Sequence, residues 1–261
     1  MKTITSRENP LYKELKALAG SSQARRKAGR TLLDGVHLCQ AYLAMRGAPL
    51  QCVVSESGLG NPEVADIVQQ CEQAHAHCTA LPDALYAPLS QVEHGVGLVF
   101  LIDTPAREVP AALSESAVLL DNLQDPGNVG SILRSAAAAG VKQVYCSAGT
   151  AFCWSPKVLR AAMGAHCVVD IFENVDLAAL IRGARIDVLA TSGYASERVY
   201  DVDLRAPLAW LFGHEGQGVA DDLLRLATRT VVIPHLGEIE SLNVAACAAV
   251  CFFEQVRQKT A

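Results

Sequence analysis

The sequence predicts an α/β protein made of two such units, and three observations carry that reading. Short apolar or β-branched runs alternate with segments of helical period along most of the 261 residues. Hydrophobic residues make up 51% of the chain and aromatics only 5%, so the core is built from Ala, Val, Leu and Ile, which suits helices layered on a sheet. The Pro-rich polar stretch DTPAREVPAALSES then separates two regimes of composition. The expected organisation is a first domain over 1–103, a linker over 104–116 and a second domain over 117–261.

Leu11, Leu15 and Leu18 lie at helical spacing behind the helix start Asn9-Pro10, and a Gly-Ser turn and a basic run follow. TLLDGVHLCQAYLAMRG reads as a strand, a turn at Gly35 and a helix ending near Gly47. QCVVSE is a strand, Pro62 opens a helix running to about His77, and HGVGLVFLID is a buried strand. In the second domain AVLLDNL, KQVYCS, IDVLATSG, PLAWLFG and TVVIP read as strands. GSILRSAAAAG, SPKVLRAAMGA, ADDLLRLA and SLNVAACAAVCFFEQVRQ read as helices between and after them. Such alternation gives a mostly parallel sheet with helices on both faces, and in such sheets ligands bind at the carboxyl ends of strands.

No apolar run approaches the roughly 18 residues that span a bilayer; Val244 to Phe253 is the best and is too short. The polar start MKTITSRENP has no apolar stretch of the signal-peptide kind. Nine cysteines form no C-x-x-C pair, although Cys247 and Cys251 share a helix face, and they read as thiols of a cytoplasmic core. His75 and His77 lack an accompanying ligand set, so no structural metal is expected. The net charge of −5 hides an asymmetry, because residues 1–30 carry +6. That end, with Arg7, Arg25, Arg26, Lys27 and Arg30, either tracks phosphates or is a solvated helix and turn.

Three loops fall where strands end. In DNLQDPGNVGSILRSA the Pro126-Gly127 turn precedes Asn128, a candidate helix cap, and Arg134 follows within two turns, so both side chains reach one cleft or serve as an ordinary cap and a surface Arg. FGHEGQGV sets three glycines around Glu215. It is neither G-x-G-x-x-G nor a P-loop, so it is a backbone-rich ligand loop or a plain turn. In IPHLGEIESLNVAA, Ser241 and Asn243 interrupt the approach to an apolar helix, with Ser241 a site residue or only its N-cap.

In this order and at successive strand ends, the three segments closely resemble the signature motifs of the SpoU/TrmH branch of the SPOUT methyltransferases, over about residues 117–256. The first hundred residues resemble the substrate-binding domain that often precedes it, from TSRENPLYKEL through RTLLDGVHL to HGVGLVF, a small ribosomal-protein-like RNA-binding fold. The resemblance implies a parallel α/β domain with a trefoil knot, S-adenosylmethionine as cofactor, a homodimer, and transfer of methyl to a ribose 2′-hydroxyl of RNA. It implies cofactor contacts at Thr191, Ser192, Leu211, Gly213, Gly218, Ile233 and Leu242, with Leu242 walling the adenine pocket. It places Asn128, Arg134, Glu215, Ser241 and Asn243 at the catalytic centre. An Arg side chain stays protonated, so Arg134 is expected to hold the phosphate and hydroxyl and to stabilise developing charge. Three positions depart from the usual pattern: His214 stands where Asn or Ser is common, His235 where Met is usual, and Ala162 where Ser is frequent.

Ribosomal RNA is the favoured substrate because the N-terminal domain is present. The alternatives are a tRNA ribose methyltransferase and a catalytically silent RNA-binding or assembly factor. Intact Asn128, Arg134, Glu215, Ser241 and Asn243 argue against the last. A nicotinamide-dependent dehydrogenase fails on the missing glycine fingerprint.

Overall fold

The computed structural model describes residues 1–90, 92, 95–238 and 241–261. The chain divides into two compact units: Met1–Ala106 with Trp154–Cys167, and Arg107–Cys153 with Val168–Ala261.

The first unit runs β1 (Lys2–Thr3), α1 (Pro10–Gly20), α2 (Ser22–Ala28), β2 (Arg30–Asp34), α3 (Val36–Arg46), β3 (Gln51–Ser55), α4 (Pro62–Gln73), β4 (His77–Leu81), α5 (Asp83–Tyr86) and β5 (Leu98–Asp103). Its sheet has the order β1-β4-β3-β5-β2. The β1, β4 and β3 neighbours are parallel, while β5 runs antiparallel to both β3 and β2. Helix starts follow their sequence signals. Asn9 and Asn61 accept N–H bonds at the heads of α1 and α4, each followed by Pro at the first helical position. Leu15 and Leu18 of α1 are buried with Leu32, Val53, Val99 and Leu101 of the sheet, which is the helical face predicted from their spacing. The α4 helix stops at Gln73, short of His77, because His77 begins β4. His94, which the sequence places at the head of the last strand, lies outside the described residues.

The basic run is not a turn but the helix α2, and one of its charges is turned inward. Arg25 is 5% exposed, and its guanidinium donates to the carbonyls of Leu18 and Ala19 and, at 2.8 Å, to Ser22 Oγ. It satisfies carbonyls at the end of α1 that have no helical partner. Burial lowers its pKa. Arg25 is thereby removed from the phosphate-binding set. Arg30 is engaged as well, pairing with Glu14 at 2.7 Å and Asp103 at 3.2 Å.

The second unit holds β6 (Ala117–Leu120), α6 (Pro126–Ala138) and β7 (Gln143–Cys146). The chain then makes α7 (Pro156–Ala162), which lies in the segment grouped with the first unit, where Thr31 Oγ1 donates to the Trp154 carbonyl at 2.9 Å. It resumes with β8 (Asp170–Phe172), α8 (Leu177–Arg182), β9 (Asp187–Thr191), β10 (Glu197–Arg198), β11 (Leu208–Phe212), α9 (Asp221–Leu226), β12 (Arg229–Val232) and α10 (Val244–Thr260). All seven strands are parallel, in the order β10-β12-β9-β11-β6-β7-β8. Alternate residues serve opposite faces. Ala117, Leu119, Val188, Ala190, Ala209 and Leu211 are buried against α8 and α9. On the other face Phe212 meets Phe252 of α10 edge-on at 5.7 Å, and Trp210 Nε1 donates to Gln255 at 3.1 Å. Helices therefore cover both faces, as the strand–helix alternation predicts.

Candidate active site

The site is built at the carboxyl edge of the seven-stranded sheet. The central strands β12, β9, β11 and β6 are neighbours and parallel, so their loops emerge together. The register sets Thr191 beside Val231, Leu211 beside Leu119 and Phe212 beside Leu120. Ser192 continues the pairing by donating its N–H to the Val231 carbonyl at 3.0 Å, and Thr191 Oγ1 donates to the Leu211 carbonyl at 3.5 Å.

Glu215 is the junction of the first two loops. Its carboxylate accepts the Gln124 N–H at 3.3 Å, the Asp125 N–H at 3.1 Å and Asn128 Nδ2 at 3.1 Å. Desolvation raises its pKa, but these bonds and one from its own backbone outweigh that and leave it below the ordinary carboxylate value. Asn128 passes the connection to the third loop by accepting from Asn243 Nδ2 at 2.9 Å. One chain of side-chain bonds thus joins residues 87 and 115 positions apart in sequence.

The caps differ from the sequence expectation. Asp125, not Asn128, caps α6: it accepts the Asn128 N–H at 2.8 Å, and Pro126 takes the first helical position. Asn128 therefore sits inside the first turn, with its amide free to bridge Glu215 and Asn243. Likewise Asn243, not Ser241, caps α10, accepting from Ala245 at 2.9 Å and Ala246 at 3.3 Å. Asn243 spends its oxygen on the helix and its NH₂ on Asn128, so it works at both ends.

Arg134 and Ser241 stand apart from this cluster. Both are exposed, and among the described residues no side-chain hydrogen bond or ion pair holds Arg134. Its position on α6 is six residues beyond Asn128, which turns it about a third of a revolution around the helix. An exposed guanidinium with no partner among the described residues is available to an anionic ligand.

The 213–218 loop is tight. A Cβ on Gly213 would overlap the backbone of Gly218 and Val219, so the glycine is needed for the loop to fold back on itself. Gly218 adopts a φ of 73°, a left-handed conformation that glycine adopts without strain. Ala220 N–H is tied to Asp121 Oδ2 at 3.0 Å. In the third loop Ile233 and Leu242 are half-buried, while Ile239 and Glu240 lie outside the described residues. Sequence reasoning missed Asp121, Asp125 and the loop role of His214. Asp125 before Pro126 is a legible N-cap signal.

The fold and this cluster define a class: a parallel α/β domain with a polar site assembled from loops at its carboxyl edge, accompanied by a mixed-sheet α/β unit. The model of the SpoU rRNA Methylase family matches residues 115–253. An uncharacterized tRNA/rRNA methyltransferase of Synechocystis is 33% identical over 99% of this chain and 95% of its own length. The 23S rRNA (guanosine-2′-O-)-methyltransferase RlmB of Bordetella pertussis is 37% identical over 58% of this chain and 62% of its own length. A crystal structure of an RNA 2′-O ribose methyltransferase superposes with a TM-score of 0.79 at 30% identity, covering 99% of this chain and 100% of that one. The chain belongs to the SpoU rRNA methylase family.

Proposed function

We propose that the protein transfers a methyl group from S-adenosylmethionine to a ribose 2′-hydroxyl of ribosomal RNA. The observation that carries this is the Glu215–Asn128–Asn243 chain, which joins three strand-end loops at one edge, with Arg134, unpaired among the described residues, on the same helix as Asn128. Ribosomal RNA is favoured because a full-length relative, RlmP of Bacillus subtilis, is named as a 23S rRNA guanosine 2′-O-methyltransferase, with 26% identity over 97% of this chain and 98% of its own.

The residues at this edge suit the cofactor. Thr191 and Ser192 bring half-buried hydroxyls to the end of β9, and Ile233 and Leu242 are half-buried apolar groups able to wall a flat base. Leu211 turns its side chain into the core, so it would meet the cofactor through its backbone. Gly213 and Gly218 shape the loop between them. None of these seven residues is cationic, so none opposes a sulfonium charge. Bound there, S-adenosylmethionine supplies an electrophilic methyl group.

The remaining work belongs to the chain. Methyl transfer requires the hydroxyl oxygen in line with the methyl–sulfur bond, so positioning is the first demand. Arg134 holds the phosphate next to the target ribose and stabilises charge growing on its oxygen. Glu215 and Asn128 keep the start of α6, and hence Arg134, in place. Ser241 donates to the ribose, and Asn243 anchors its loop.

In the same reading the first unit binds RNA, with Arg7, Arg26 and Lys27 as phosphate contacts. The functional form is a cytoplasmic homodimer carrying the family's trefoil knot. Among the described residues no helix is long and apolar enough to cross a membrane. Ribose-methylation mapping of total RNA from a strain lacking the gene tests the proposal. One ribosomal 2′-O-methyl mark should vanish and return with the gene; loss of a tRNA mark instead would move the substrate, and no lost mark would refute the activity.

A further inference from the structure

The 213–218 loop is clasped by a single side chain. His214 Nδ1 accepts the Gly216 N–H at 3.0 Å and the Gln217 N–H at 3.2 Å. The His214 carbonyl takes the Gly218 N–H at 2.8 Å, and the two residues form an isolated antiparallel bridge. Bonds from residues two and three further on to a side-chain acceptor are the pattern that Asn, Asp and Ser oxygens make in tight turns. An imidazole nitrogen supplies that acceptor here, which explains how His fits where the resemblance led to Asn or Ser. The two acceptors differ chemically. An amide oxygen accepts at any pH of interest. Nδ1 accepts only while the ring is neutral with its proton on Nε2; in the protonated ring both nitrogens donate.

We propose that His214 is a positioning residue of the cofactor site, a proton-sensitive clasp that closes the 213–218 loop while its ring is neutral and releases it when protonated. The importance of the loop to a cofactor rests on the function proposed above; the clasp itself does not. The loop carries Glu215, whose carboxylate holds Gln124, Asp125 and Asn128. Opening it therefore loosens the start of α6 as well as the backbone edge facing the cofactor.

The charged groups on the loop and on the elements bonded to it are carboxylates. Glu215 is on the loop itself, Asp121 reaches it from the end of β6 and bonds Ala220 N–H, and Asp125 lies at the head of α6. Asp221 and Asp222 follow in the first turn of α9. Among the described residues no Lys or Arg bonds to the loop. The sign follows: the bonded form is the neutral one, so the closed loop belongs to the deprotonated ring and protonation removes the acceptor.

The test is site-resolved amide exchange of the full chain by NMR, read at Gly216 and Gln217, for wild type, His214→Asn and His214→Ala. Between about pH 8 and about pH 5.5, after division by the intrinsic rate, wild-type protection should fall by about tenfold, on the scale of two neutral hydrogen bonds. His214→Asn should stay protected with no pH dependence, and His214→Ala should be unprotected throughout. Parallel pH profiles for wild type and His214→Asn, or retained protection in His214→Ala, would overturn the clasp. S-adenosylmethionine affinity should weaken over the same range in wild type and stay level in His214→Asn. A wild type whose protection titrates but which never binds S-adenosylmethionine would refute the cofactor reading and leave the clasp standing.

Discussion

The two edges of the seven-stranded sheet use their polar residues in opposite ways. At the amino edge, charges neutralise one another close by: Arg205, just before β11, pairs with Asp203 at 2.7 Å, and Arg229, the first residue of β12, with Glu197 at 2.9 Å. At the carboxyl edge, polar side chains bond across the fold through Glu215, Asn128 and Asn243, while Arg134 has no side-chain partner among the described residues. Pairs of the first kind contribute little to stability because water screens them. Bonds of the second kind fix loop positions, and in the proposed function the exposed Arg134 receives the anion. A crowd of charges is thus a poorer guide to function than a small polar network that is organised yet incomplete.

The comparison can be broken most severely at Arg134. Arg134→Ala should lower turnover by about a hundredfold or more while cofactor affinity stays within a few-fold, since the group acts on transition-state charge. Single-turnover kinetics with an isothermal titration separates the two, and near wild-type turnover would return Arg134 to the ordinary surface.

Glu215→Gln should come next, with turnover falling by about tenfold as an amide replaces a carboxylate that accepts three N–H bonds. It also carries a pH signature. The folded pKa of Glu215 is lowered, so its stabilisation is present above the unfolded carboxylate value and is lost as pH falls through the folded one. Acid melts should therefore show wild type losing stability more steeply than Glu215→Gln below about pH 4.

Asn243→Ala removes the α10 cap and the bond to Asn128, which should cost about 1 kcal/mol from the cap and lower Tm by a few degrees. Ser at the same position should recover most of the cap but not the link to Asn128. Smallest of all, Arg205→Ala at the amino edge should leave turnover unchanged and shift Tm by no more than about 1 °C. A large loss there would erase the distinction between the edges.

Much of the fold was legible because its signals are local. Asn9-Pro10 and Asn61-Pro62 start α1 and α4, and Gly47 and Gly140 follow the ends of α3 and α6. The strand–helix alternation implied a parallel sheet. Unreadable features depend on distant partners. The two-residue strands β1 and β10 exist only by pairing with β4 and β12. Residues 154–167 group with the first unit although the sequence runs on without a break in pattern. Arg25 counted as surface charge because charge is visible in a sequence and burial is not. At the site, Asn128, Glu215 and Asn243 come together as the motifs imply. Ser241 and not Asn243 read as the cap of α10, since both residue types cap helices and only the bonds from Ala245 and Ala246 decide. The α8 helix, LAALIR behind a capping Asp176, was legible and overlooked.

Hydrogen-exchange mass spectrometry with and without S-adenosylhomocysteine, the demethylated product, tests the central claim most directly, because it reads both edges of one sheet at once. Peptides covering 211–219 and 233–246 should slow on addition of the ligand, while those covering 203–208 should exchange as before. Protection confined to 203–208, or none at the carboxyl edge at ligand concentrations where binding is saturated by calorimetry, would contradict the placement of the methyl-transfer site.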